Sequence, residues 1–301
     1  MTVTLDWFGC TTYRLNIDGL VVFLDTFMDR LSSAPDNGAT SADIKEADFA
    51  LIGHSHMDHI AGADVIAKNT GAKVIGSFET ARVLRRAGVP KEQLLPSAGG
   101  ELHQLNDDVT VRVFPSLHSC IWSTAAPSGV LLEGDIGVSY GERAARLTSQ
   151  RDEGPSLPAA LAAEQKELDA RRIGSGNDGG ALDYLIDTPD GTIFFQNSMG
   201  FWSGILAGIR ADVAIMGCAG RGNIDGEPIQ GSVEEYVAIV ANTVAPKQLV
   251  LGHHDNWAGD PDAPDLMNIE PIREELERSV PFAEIIEPGY QDGRELLPAS
   301  E

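Results

Sequence analysis

The sequence predicts an α+β sandwich of two similar halves. Each half opens on apolar strands and continues as alternating strand and helix, the pattern of layered folds. Each half also ends strands on histidine, at His54 and His118 in the first and His253 in the second. Matching chemistry at strand ends in both halves argues for one domain over residues 1–301, and a chain of 301 residues is ample for a buried core.

Taken in order, Thr2–Trp7 and Tyr13–Ile17 read as strands flanking a Gly-Cys-Thr-Thr turn, and Leu20–Leu24 as a third, apolar strand. The third ends at Asp25, a carboxylate placed either to cap the next turn or to orient a metal-binding histidine from behind. Residues 29–44 read as loop. Ala47–Ile52 is a largely buried strand running into Gly53, followed by helix Ile60–Asn69, strand Ala72–Gly76 and helix Glu79–Ala87, which Gly88 and Pro90 end. Glu101–Leu105 and Val109–Phe114 pair around Asn106-Asp107-Asp108, and His103 inside this hairpin has no companion ligands, a structural position.

Residues 119–180 differ in character. A helix is predicted from Leu157 to Arg172 with Pro158 in its first turn. The glycine-rich run 174–180 reads as a flexible linker. The whole segment reads as an insertion, either a cover for a pocket mouth or a surface excursion without a role. Alternation then resumes with a hairpin, Leu182–Asp187 and Thr192–Gln196. Helix Trp202–Ile209, strand Val213–Gly217, helix Val233–Val244, strand Gln248–Gly252, helix Ile272–Ser279 and strand Ala283–Ile286 complete the chain.

The densest chemistry lies in Leu51-Ile-Gly-His-Ser-His-Met-Asp-His59. His54, His56, Asp58 and His59 are four metal-ligating side chains within six residues. An extended chain would put the first three on one side, whereas a turn would fan the set around two neighbouring points. Imidazole and carboxylate suit zinc and related divalent cations.

Composition narrows the partners. Asp and Glu number 45 against 22 Lys and Arg, a net charge of −23, which disfavours a nucleic-acid groove and docking on anionic lipid. Cys10, Cys120 and Cys218 are widely spaced without a CxxC pair and read as reduced thiols. No secretory leader and no apolar run of membrane-spanning length is visible, so a cytoplasmic location is expected.

The HxHxDH cluster, followed by His118 and His253, resembles the metallo-β-lactamase superfamily of hydrolases. The opening Trp-Phe-Gly-Cys-Thr-Thr-Tyr, the Leu-Asp-Thr-Phe that follows and the Thr-Gly-Ala-Lys-Val-Ile-Gly run look like its L-ascorbate-6-phosphate-lactonase-like branch. The resemblance implies a four-layer αββα sandwich with metals at one edge between two sheets. It implies His54, His56 and His118 for one metal and Asp58, His59 and His253 for a second, with His254 ranked behind His253. Family members bridge the metals with an aspartate in Gly-Asp-Thr-Gly. Here that stretch is Phe195-Gln-Asn-Ser-Met-Gly200, with Ser198, or Asn197 one residue earlier, at the aspartate position. Gly134-Asp135-Ile-Gly137 is a superficial match elsewhere.

The expected cofactors are one or two divalent ions, zinc first, then manganese or iron, the second held more weakly for want of the carboxylate. The expected chemistry is metal-activated water attacking a lactone, ester, amide or phosphoester of a small-molecule substrate. Asp58 would act as ligand and proton acceptor, and Ser198 and Asn197 would bond to water or substrate. Trp122, Tyr140, Trp202 and Trp257 are candidate pocket walls. A flavodiiron-like oxidoreductase would carry Glu where this chain has His56, and the alternative is a member that binds metal or ligand without turnover. The branch it resembles often forms oligomers, so a homo-oligomer is expected.

Overall fold

The computed structural model describes residues 2–123, 128–134, 137–139, 141–146, 157–176 and 179–297. Two seven-stranded sheets form its centre. The first contains β1 (Val3–Trp7), β2 (Tyr13–Ile17), β3 (Leu20–Leu24), β4 (Phe49–Leu51), β5 (Lys73–Ser77) and β6 (Leu94–Ser97), with the C-terminal strand Arg294–Leu296 added to the free edge of β1. β1–β3 form an antiparallel meander, and β3–β6 then run parallel. The second sheet repeats the plan. β7 (Leu102–Gln104), β8 (Thr110–Pro115), β9 (Leu182–Thr188) and β10 (Gly191–Gln196) are antiparallel neighbours. After the short β11 (Gly200–Phe201), β12 (Val213–Gly217) lies parallel to β10. Beyond the short β13 (Asn223–Ile224) and β14 (Glu227–Pro228), β15 (Gln248–Gly252) and β16 (Glu284–Ile286) continue the parallel run. The C-terminal strand is β17.

Side-chain alternation sorts these strands into layers. Val3, Leu5 and Leu15 from the first sheet pack with Val111, Ile193, Phe195 and Val250 from the second, forming the core between the sheets. On the outer face of the second sheet, Phe194, Met216 and Leu251 meet α6 (Val233–Val244) and α7 (Glu270–Ser279). On the outer face of the first, Phe23, Ile52 and Val74 meet α2 (Ala63–Thr70) and α3 (Phe78–Arg86). The layers are therefore helix, sheet, sheet and helix, as expected. The Tyr184 hydroxyl crosses between sheets to donate to the Ile52 carbonyl at 2.7 Å, just before the histidine motif.

Several elements depart from expectation for local reasons. The helix expected over Ile60–Asn69 starts only at α2, with α1 (Met57–Ile60) a separate turn before it, because Gly62 turns with φ +98° where a Cβ would strike the Thr26 carbonyl. Helix Trp202–Ile209 shrinks to α5 (Ser203–Leu206), with Gly204 and Gly208 weakening it. Helix α4 (Ala159–Asp169) is the core of the predicted Leu157–Arg172. The glycine run behaves least as expected: Ser175 N–H donates to the Ser55 carbonyl, the Gly179 carbonyl accepts from Ser55 N–H and Ser77 Oγ, and Leu182 N–H donates to the Gly53 carbonyl. Its described residues are fastened to the histidine loop. Among the described residues no helix is long and apolar enough to cross a membrane.

Asp183 on β9 is buried, and burial pushes its carboxyl up to about 8 against the downward pull of hydrogen bonds from Ser116 and Gln196. An unfolded aspartate ionises near 3.9. The folded chain therefore holds this proton more tightly, and the associated stability, full below about pH 4, is lost as pH rises through about 8. Asp183→Asn cannot ionise. Urea denaturation should show the variant gaining on the wild type between these pH values, and a pH-independent difference would refute this.

Candidate metal centre

The site assembles where strands end. β3 runs into Asp25, β4 into the His54–His59 loop, β8 into His118, β10 into Asn197 and β15 into His253. After β4 the chain stays extended through His56 and then makes the single helical turn α1, which carries Asp58 and His59. This change of direction divides the motif. His54, His56 and His118 gather into one group, and Asp58, His59 and His253 into another with Cys10, their candidate ligand atoms within 4.8 Å of one another in each group. His54 and His59, from different groups, have ring centroids 3.9 Å apart, so the groups adjoin.

The residues fit divalent cations on the chemistry of their donors. His54 is fully buried, with the Asn197 amide 3.0 Å from Nδ1, while its Nε2 is buried without a hydrogen-bond partner. A buried polar atom left so in a native fold is costly unless something binds it. Burial and the neighbouring His59, His118 and His56 hold His54 well below the usual imidazole range. Burial, followed by His56, pulls His118 down to about 3. Neutral imidazole is the form that ligates.

The second group has the opposite electrostatics. Burial works against charge on His59, but the Asp58 and Asp25 carboxylates outweigh it and push the ring up to about 10. Burial likewise opposes ionisation of Asp58, yet His59 and His253 hold it well below the carboxylate range. Asp58 Oδ2 lies 3.4 Å from His59 Nε2 and 3.5 Å from His253 Nε2. These charges favour a proton where a cation would sit, and a cation bound there would displace it.

Asp25 holds this arrangement from behind. Its Oδ2 lies 2.8 Å from His59 Nδ1 and accepts from Thr11 Oγ1 at 2.7 Å and Asn197 Nδ2 at 2.9 Å, while Oδ1 accepts from Gly53 N–H at 2.9 Å. Engaging Nδ1 leaves His59 Nε2 to face Asp58. Gly53 must be glycine here, since a Cβ would collide with the Asn197 amide.

The other predicted residues fall as follows. Asn197 sits behind the His54 and His59 rings, and Ser198 Oγ accepts from the backbone N–H of Ser119, fixing the chain just past His118. His254 turns away from His253 and stacks on Trp7 at 5.0 Å. His103 bonds to Ser97 Oγ. Trp257 packs edge-on to His253 at 5.5 Å and to Phe27 at 5.9 Å. It lines, with His253, Pro264 and Met267, a recess of about 290 Å³. Trp122 lies under the Arg143 guanidinium and Trp202 is partly exposed. Asp135 and Tyr140 lie outside the described residues. Sequence reasoning passed over Cys10 and Thr11, although their turn follows β1 in the same strand-end position that singled out the histidines.

Comparison with known proteins accords with this geometry. Residues 21–141 match the model of the beta-lactamase superfamily domain. Over that stretch the chain is similar to the metallo-β-lactamase superfamily. A UPF0173 metal-dependent hydrolase of Pyrobaculum neutrophilum is 30% identical over 134 residues, 44% of this chain and 58% of the relative, so less than two thirds of that relative's length is spanned. Among solved structures, Igni18, a metallo hydrolase of Ignicoccus hospitalis, is similar over 100% of both chains with TM-score 0.61 and 17% identity. CmlA, a diiron β-hydroxylase of Streptomyces venezuelae, is similar over 98% of this chain and 54% of its own, with TM-score 0.59 and 15% identity. At such identities the likeness is one of fold.

If Asp25 orients His59, Asp25→Asn should weaken metal held by Asp58, His59 and His253 by about 10–100-fold. Metal at His54, His56 and His118 should change far less. Competition titration against a chromophoric chelator measures both, and equal losses at the two positions would count against the assignment.

Proposed function

We propose that this chain is a metal-dependent hydrolase of a small molecule, attacking a lactone, ester, amide or phosphoester at a centre of two adjacent divalent cations, with zinc the preferred ion. The observation that carries the reading is the pair of adjoining groups, His54, His56 and His118 beside Asp58, His59 and His253. A structural metal needs one closed set of four ligands. Two contiguous sets exceed that need. The names of the matched relatives, metal-dependent hydrolases, support the same chemistry.

When bound, such cations supply Lewis acidity and a water acidified toward neutral pH. The chain's residues do the rest. His54 and His59 are buried at the back of the centre, while His56, Asp58, His118 and His253 are half-buried at its front, so substrate arrives on that side. Among the described residues Asp58 is the one carboxylate in the two ligand groups, with its side chain 19% exposed, and it accepts the proton that the attacking water gives up. Trp257 and Met57, packed beside Cys10, Phe27 and Ala61, give one wall an apolar surface. A recess of about 290 Å³ suits a small substrate. Helix α4 helps to wall the approach: Glu164 accepts from Ser32, and Arg172 donates to the Asp29 carbonyl over the Phe27 ring. The surrounding acidity, with net charge −23, favours substrates other than nucleic acid. The likeness of the opening motif extends the proposal to a phosphorylated lactone as substrate, and the protein is proposed to act as a cytoplasmic homo-oligomer.

One observation favours a second reading, a member that binds without turnover: neither Ser198 nor Asn197, the two candidates for the place of the bridging aspartate, brings a charge to the centre. The deciding experiment measures metal content of the protein purified without added metal, then hydrolysis of a lactone, ester and phosphodiester panel with zinc or manganese. Turnover that requires metal and falls at least about 10–100-fold in His56→Ala, as expected when metal ligation is weakened, supports the hydrolase. Tight metal with no turnover across the panel supports the binding member instead.

A further inference from the structure

The second group contains a side chain that the family pattern does not call for. Cys10 Sγ lies with Asp58, His59 and His253, all four offering candidate ligand atoms within 4.8 Å of one another. We infer that the Cys10 thiolate is the fourth protein ligand of the second cation, supplying the negative charge that Ser198 and Asn197 do not. This rests on the two-cation reading above.

Three features separate this from a cysteine that merely fills space. The first is its backbone. Cys10 has φ +48°, a left-handed conformation that a side-chain-bearing residue adopts only under constraint, and a filler would have no need of it. The constraint is explicit. Cys10 N–H donates to Asp255 Oδ1 at 2.8 Å, and its carbonyl accepts from His253 N–H at 2.7 Å and Trp7 Nε1 at 3.0 Å. Asp255 is in turn held by Arg30 Nη1 at 2.6 Å in a buried pair and by the Tyr290 hydroxyl at 2.9 Å. The turn carrying the thiol is therefore fastened directly to the strand end carrying His253.

The second is contrast with the other two thiols. Cys218 is spent on the Gly252 carbonyl at 2.9 Å and Cys120 approaches the Gly222 carbonyl at 3.7 Å, and neither belongs to a ligand group among the described residues. The third is charge. His54, His56 and His118 are neutral donors, Asn197 is neutral, and Asp58 is the one carboxylate in either ligand group. Two adjacent dications need more compensation than that, and a thiolate at Cys10 provides it. Ligation exchanges the S–H proton, now directed at the Asp58 carbonyl 3.2 Å away, for a sulfur–metal bond, the proton leaving to solvent. The resulting set of one sulfur, two imidazoles and one carboxylate suits zinc and disfavours manganese at this position.

Cobalt(II) substitution tests this without reference to activity. Full-length protein titrated with cobalt should show a thiolate-to-cobalt charge-transfer band that grows with the second equivalent. Cys10→Ser should lose the band and keep the visible absorption of cobalt at the histidine-rich position, while Cys120→Ser and Cys218→Ser keep both. A band that persists in Cys10→Ser, or a second equivalent bound by the wild type with no band, overturns the assignment. Should Cys10→Ser fail to fold, X-ray absorption of the zinc-loaded wild type decides: a sulfur shell near about 2.3 Å is expected, and a shell of nitrogen and oxygen alone overturns it. Failure of the wild type to take up any cobalt or zinc would instead overturn the two-cation reading itself.

Discussion

The buried Asp25 carboxylate is the constraint on which the rest of the centre depends. It stands at the end of β3 with φ +51° and is fully inaccessible to solvent. A carboxylate taken out of water is tolerated only when its lone pairs are satisfied by donors of good geometry. Asp25 meets this with Thr11 from the β1–β2 turn, Gly53 and His59 from the histidine loop, and Asn197 from the end of β10. These donors come from both sheets. Its desolvation requirement therefore ties the sheets together at the point where the ligands must converge.

A second constraint runs through the backbone. Cys10, Asp25 and His253 are all side-chain-bearing residues at positive φ, and all three lie at the centre. Each such conformation costs on the order of 1–3 kcal/mol and survives only where the surroundings over-determine it. At Cys10 and His253 the restraint is mutual, since the His253 N–H binds the Cys10 carbonyl. Gly252 allows that approach, because a Cβ there would strike the Tyr13 hydroxyl and the Cys10 carbonyl. The strain is spent on aim: donor atoms that would diverge in relaxed turns are turned inward before any cation arrives.

What the sequence made legible follows from the range of the interactions involved. The strands and helices of the two halves announce themselves through local periodicity, and Val233–Val244 emerges with the bounds predicted. The histidine motif was legible because four donors sit within six residues. β6 and β17 were not, the first because Pro96 interrupts an edge strand and the second because Arg-Glu-Leu has no strand pattern until it meets β1. Cys10 escaped because its partners Asp58 and Asp255 lie 48 and 245 residues away. The glycine run 174–180 misled for the same reason. Composition reports how freely a chain can move, not whether Ser55, Ser77 and Gly53 will hold it.

The same distinction bears on specificity. The back of the centre is fixed by regular structure: strand ends, one helical turn and the Asp25 network. The front is bounded by the Trp257 loop and by residues 174–176 and 179–182 against the histidine loop, with helix α4 leaning on residues 29–32. Regular elements are constrained by packing, whereas loops carried on a rigid frame are free to vary and so carry recognition. Chemistry common to a superfamily is therefore written where periodicity can be read. The contacts that border the front, such as Trp257 on His253 and Arg172 over Phe27, exist only once distant segments have met, so periodicity does not report them.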